Sequence, residues 1–200
     1  MSDETIYGED DRDFHSPFDL GFDPPALETI KWLILGHILF LVGLAVVLYT
    51  RIDNGNIWIT PLFGLPLIWA TRRHRNWGLI LVFVVGFTAA HYLAAELARG
   101  SYRPGAEMTP GLIGGAVGAA GALILCAIFR LLRADTATFV FAAFGVAILA
   151  AVGSFGVYMY LTAGPAAHFG ETFVRMLWVY TPWQFAFAYV LAKSLKPIAP

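Results

Sequence analysis

Asn56-Ile57-Trp58-Ile59-Thr60-Pro61-Leu62-Phe63-Gly64-Leu65-Pro66-Leu67-Ile68-Trp69-Ala70-Thr71 is an almost wholly apolar stretch of sixteen residues. A helix that crosses a bilayer needs about 20. Pro61 and Pro66 each lack a backbone donor, so a helix here is expected to be kinked or broken. If the stretch crosses, the chain has six transmembrane helices and both ends share a side. If it is re-entrant, there are five crossings and the N-terminus lies outside.

Basic residues favour the first arrangement. With six crossings and cytoplasmic ends, Arg12, Lys31, Arg72, Arg73, Arg75, Arg130, Arg133, Lys193 and Lys196 fall inside, and Arg51, Arg99, Arg103 and Arg175 fall outside. Nine against four follows the positive-inside rule; the five-crossing alternative gives eight against five.

The rest of the chain supports the same solvent. Runs at 26–49, 77–98, 110–132, 136–162 and 169–195 are each long enough to span. Of the 200 residues 58% are hydrophobic and 14% charged, against about 25% charged in a soluble domain. Soluble enzymes are thereby disfavoured. A formal net charge of −1 gives no footprint for nucleic acid. One cysteine, Cys126, leaves no internal disulfide and no Cys-rich metal set. The expected fold is all-α, a polytopic helix bundle over 26–196 in a bacterial inner membrane, both termini cytoplasmic. Residues 1–25 form an acidic tail, in which Asp3, Glu4, Glu9, Asp10, Asp11, Asp13, Asp19 and Asp23 face a single base, Arg12. Such a stretch buries too little to repay its ordering entropy.

Gly111, Gly114, Gly118 and Gly121 recur at spacings of three, four and three, which predicts one smooth helix face. Helices in lipid associate by close backbone approach and dispersion rather than by hydrophobic drive, so the strip is read as helix packing, with a homodimer face or a groove for a flat ligand as alternatives. Arg72-Arg73-His74-Arg75 is read as an orientation signal.

Ionisable groups at membrane depth are costly and so are functional candidates. His37 lies about 15 Å along the first span, His91 about 21 Å along the third from the same side. A bis-histidine haem is one alternative, but it would need both ligands at one depth, and these differ by about 6 Å on straight helices. Neutral, hydrogen-bonded histidines are preferred, with Thr88 a local partner for His91. Glu96 can pair with Arg99 one turn on, or join His91 in a ligand or proton site. In the last span Pro182 frees a carbonyl one turn back, and Gln184 supplies an amide beside Trp183. Together with Pro61 these could frame one pocket. No Gly-x-Ser-x-Gly, His-Glu-x-x-His or P-loop pattern occurs, so catalysis is not expected.

The stretch 56–64, followed by Arg72-Arg73-His74-Arg75-Asn76-Trp77-Gly78 and the late segment from Trp178 to Leu191, resembles bacterial membrane-associated sensor domains. The Gly-rich run 110–125 is similar to the substrate-binding subunits of vitamin-uptake systems. Both resemblances imply small-molecule recognition inside a helical bundle, without catalysis. The expectation is therefore a non-catalytic module binding a small or lipophilic ligand for sensing or uptake with a separate membrane or cytoplasmic partner. An accessory subunit of a larger membrane complex is the alternative, and a b-haem redox or proton-handling protein the second alternative.

Overall fold

The computed structural model describes Pro17, Gly21 and residues 24–70 and 77–196. The acidic tail, but for Pro17, Gly21, Pro24 and Pro25, and the Arg72–Arg75 cluster lie outside this set. Among the described residues every element is an α-helix: α1 (Pro24–Thr50), α2 (Gly55–Trp58), α3 (Pro61–Ala70), α4 (Trp77–Ser101), α5 (Thr109–Ile128), α6 (Thr136–Thr162) and α7 (Phe169–Ser194). A lone bridge between Leu132 and Leu195 is the only β-type pairing found among them.

The sixteen-residue stretch is broken where Pro61 predicts. Its helix stops at Trp58 and restarts at Pro61, and the junction is held by short-range bonds from Thr60 N to Ile57 O (3.2 Å) and from Phe63 N to Thr60 O (3.1 Å). Pro66 sits inside α3.

Two other boundaries turn on arginines in the left-handed region. Arg51 (φ 54°) follows α1, and Ile52 N–H bonds back to Val47 O at 3.1 Å. Arg130 (φ 55°) follows α5, with Arg130 N bonded to Ala127 O at 2.9 Å and Leu131 N to Cys126 O at 2.8 Å. That pair of bonds is the Schellman closure. It ends α5 at Ile128, whereas hydropathy alone extends the run to Leu132. Leu131 and Leu132 instead turn towards the chain beyond α7: Lys196 N bonds to Leu131 O (2.8 Å) and Arg133 N to Ser194 O (3.0 Å).

α6 starts at a side-chain cap, Asp135, whose two carboxylate oxygens accept from the Thr138 backbone N–H (2.7 Å) and hydroxyl (2.8 Å). α7 starts at His168, whose Nδ1 accepts from Glu171 N–H at 3.2 Å, while Glu171 returns a bond from Ala167 N–H at 2.7 Å. This is the reciprocal logic of a capping box.

The helices close into a ring in the order α1, α3, α4, α5, α6, α7 and back to α1. The broken pair α2–α3 runs antiparallel to α1, with Gly55 against Val47, Gly43 against Ile59 and Leu62, and Gly36 against Phe63. A β-carbon on Gly36 would collide with the Phe63 carbonyl, so only glycine permits this approach. α4 then starts beside the far end of α3, with the Trp69 and Trp77 rings 6.1 Å apart. It ends beside the start of α2, where Arg99 donates to Asn54 Oδ1 at 2.8 Å. At that same end the Tyr49 and Phe169 rings meet edge to face at 6.2 Å.

Among the described residues four helices are long and apolar enough to cross a membrane: α1, α5, α6 and the Ile80–Ser101 part of α4. Gly55–Ala70 is shorter. α7, expected to be as clear a span as these, is 26 residues long but less apolar, since it carries Glu171, Arg175, Gln184 and Lys193. The last three of these are buried within the bundle. Large apolar side chains such as Ile38, Val42, Leu81, Val85, Phe144 and Ile148 face outwards. An apolar exterior of that extent marks contact with lipid or protein rather than water.

Candidate functional site

Tyr180, Trp183 and Gln184 stand at i, i+3 and i+4 on α7 and therefore share one face. That face looks across the ring at the glycines of α5. Between them lies a cavity of about 170 Å³, lined further by Phe63 of α3 and by Ala90, His91, Ala94 and Ala98 of α4. Gly111, Gly114, Gly115 and Gly118 of α5 form the facing wall, and at Gly118 a side chain would have room to enter the space. None of the lining residues is Asp, Glu, Lys or Arg, and the polar ones are Thr60, His91, Tyr180, Trp183 and Gln184.

The polar groups are tied unequally. Gln184 Oε1 sits 2.6 Å from His37 Nδ1, so the amide is shared between the cavity and the α1–α7 seam. With the oxygen as acceptor, His37 carries its proton on Nδ1. Tyr180 accepts from Asn56 Nδ2 at 2.7 Å, which leaves its hydroxyl proton to donate. The Thr60 hydroxyl is spent on Asn56 O, 3.1 Å away. The His91 ring lies 6.1 Å from that of Tyr180. Thr88 donates to Val84 O rather than to His91.

Trp183 Nε1 is buried and has no partner, whereas the other such side-chain atoms among the described residues, on Thr181 and Ser194, belong to residues outside the cavity lining. A β-carbon on Gly153 would stand 3.5 Å from Trp183 Cδ1, and one on Gly118 3.8 Å from Cζ2. Nε1 lies on the indole edge that joins those two carbons. The donor edge is thus turned to a wall of glycines that has no side-chain acceptor. An unmet buried donor costs about 1–3 kcal/mol.

The glycine strip does not form one face. A β-carbon on Gly111 would strike the Gly153 carbonyl, and one on Gly115 would lie 2.6 Å from Leu149 O, so this pair faces α6. Gly114, Gly118 and Gly121 lie against Ala98, Ala94 and Ala90 of α4. A spacing of four, 111 to 115, keeps one side of the helix, and the step of three to 114 moves to the other.

Other sequence-derived candidates fall elsewhere. His37 is buried between α1 and α7, its ring 5.2 Å from Phe185, and does not line the cavity. Glu96 is exposed and paired with Arg99. Pro61 is buried at the start of α3, and the side chain of Pro182 faces outwards; neither lines the cavity. The carbonyl one turn before Pro182, on Trp178, lies against Gly156 of α6, where a β-carbon would come within 2.6 Å. Pro182 therefore serves the α6–α7 contact. Among the described residues no three His, Cys, Asp or Glu side chains group as metal ligands. Tyr180 and Asn56 escaped the sequence reading as a pair; the 180, 183, 184 spacing could have marked the first of them.

No family model matches the chain, and neither a curated protein nor a solved structure is similar to it by the same comparisons.

Proposed function

We propose that this chain is a six-crossing, non-catalytic membrane module that holds a small lipophilic ligand in its central cavity and works with a separate partner in sensing or uptake. The observation that carries the reading is the closed ring of helices around a cavity free of Asp, Glu, Lys and Arg, into which one face of α7 turns Tyr180, Trp183 and Gln184. Such a lining supplies shape and orientation, which suit binding.

Six crossings are supported by the course of α2–α3. Its end at Trp69 neighbours the start of α4, and its start at Asn54 neighbours the end of α4. A re-entrant segment would return to the level of Asn54 before α4 began. Exposed aromatics gather at both levels, Trp69 and Trp77 at one and Tyr49 and Trp58 at the other, as interfacial anchors do. The basic residues at the level of the chain ends favour that side as cytoplasmic, in keeping with a bacterial inner membrane.

Thermal melting in mild detergent tests the binding. Ring-sized hydrocarbons should raise the melting temperature, because a ligand that binds only the folded state stabilises it. Gly118→Leu, which fills the cavity, should abolish that rise. No rise with the unaltered protein would overturn the reading.

A further inference from the structure

We infer that the cavity selects a neutral molecule with a ring-sized head bearing a hydrogen-bond acceptor, such as a carbonyl oxygen, received by Trp183 Nε1. The inference rests on the reading of this cavity as a ligand site and adds the chemistry of what enters it.

Size sets the head. An apolar cavity of about 150 Å³ takes up one benzene molecule, and this one measures about 170 Å³. It is partly open, so the remainder of a longer molecule can lead outwards. Charge is set by the lining, which contains no carboxylate, ammonium or guanidinium to balance an ion. An ion in such a place would be heavily penalised.

Polarity is set by the donors. Trp183 Nε1 is buried, donates only, and has no partner among the described residues. Gln184 is 3% exposed; its oxygen is engaged by His37, and its amide nitrogen makes no hydrogen bond among the described residues. The Tyr180 hydroxyl already accepts from Asn56, which leaves it a proton to give. Three donors on one helix face ask for an acceptor. Gly118 and Gly153 opposite bring no side-chain acceptor to the indole edge, so that donor is left to a ligand.

The test uses three probes of matched size on the whole protein in mild detergent: para-hexyl acetophenone, which is a neutral acceptor, para-hexyl ethylbenzene, which has none, and para-hexyl benzoate, which is anionic. Affinities are read from melting-temperature titrations. The ketone should bind roughly two- to tenfold more tightly than the hydrocarbon, the worth of one hydrogen bond, and the benzoate most weakly. Trp183→Phe should reduce ketone affinity more than hydrocarbon affinity, so that the preference between the two disappears. Equal binding of ketone and hydrocarbon to the unaltered protein would overturn the acceptor inference while the lipophilic-site reading stands. Tightest binding of the benzoate would overturn neutrality. If none of the three binds, the site reading itself fails.

Discussion

Gln184 Oε1 and His37 Nδ1, 147 residues apart in sequence, lie 2.6 Å from each other in the seam between α7 and α1. The bond joins the helix that opens the bundle to the one that closes it. It also fixes the amide whose other end reaches the cavity. Tyr180, one turn before Gln184, sits about 6 Å away along the axis and bonds Asn56. α7 is thus pinned at two successive levels, to α1 and to α2.

Gln184→Leu should lower the unfolding free energy by about 1–3 kcal/mol, because His37 would keep a buried donor without an acceptor. In a membrane setting the lower end is expected, since the unfolded helices also find partners. The double variant His37→Phe with Gln184→Leu should recover part of the loss. Denaturant titration in detergent micelles, run as a double-mutant cycle, measures both.

Two neighbouring glycines should respond with opposite signs. Gly115→Ala places a methyl 2.6 Å from the Leu149 carbonyl and should destabilise by about 1–3 kcal/mol through overpacking against backbone. At Gly118 the nearest atoms would be 3.7 Å and 3.8 Å away, ordinary contact distances. Gly118→Ala should therefore stabilise by about 0.5–1 kcal/mol, through helix propensity alone. Thermal unfolding followed by circular dichroism distinguishes the two.

Those contrasts also mark the limit of what the residues alone reveal. Long apolar runs and the two prolines at 61 and 66 predict the helices and the break, because length and a missing donor act locally. The pairing of Glu96 with Arg99 is legible for the same reason, being one turn long. Which glycine faces which helix is set by the rotation of α5 between its neighbours, and the step from 111 to 114 is compatible with one face or two. The partnership of His37 with Gln184 depends on ring closure, and the orphaned Trp183 donor on what stands opposite it. Neither has a local signature.

Arg130→Gly should stabilise the protein by about 1 kcal/mol. Arg130 closes α5 at φ 55°, a conformation costly for a residue with a β-carbon and nearly free for glycine. Its Schellman bonds are made by backbone alone, so they survive the change. A rise in melting temperature checks this.

Asp135→Ala should cost about 1 kcal/mol at neutral pH by uncapping α6. Hydrogen bonds from the Thr138 backbone N–H, then from its hydroxyl, hold the Asp135 carboxyl below its usual range in the folded state. A depressed folded value means the contribution is present in full above the unfolded carboxyl value and is lost as pH falls through the folded one. The gap in stability between the two proteins should therefore be constant from neutral pH down to the ordinary carboxylate range and close below it. Exposure to solvent keeps the electrostatic part small. Unfolding curves collected across acidic pH follow the gap directly.

The course of the chain on either side of the broken helix is decided most directly by labelling single cysteines with a membrane-impermeant maleimide, in vesicles of both orientations. Cys126 is buried and is replaced by alanine as background. Asp53→Cys and Trp77→Cys stand at exposed positions flanking Gly55–Ala70. Labelling of position 53 from outside only and of position 77 from the cytoplasmic side only is the expected result. Labelling of both from the same side would contradict a six-crossing bundle and remove the ring that encloses the cavity.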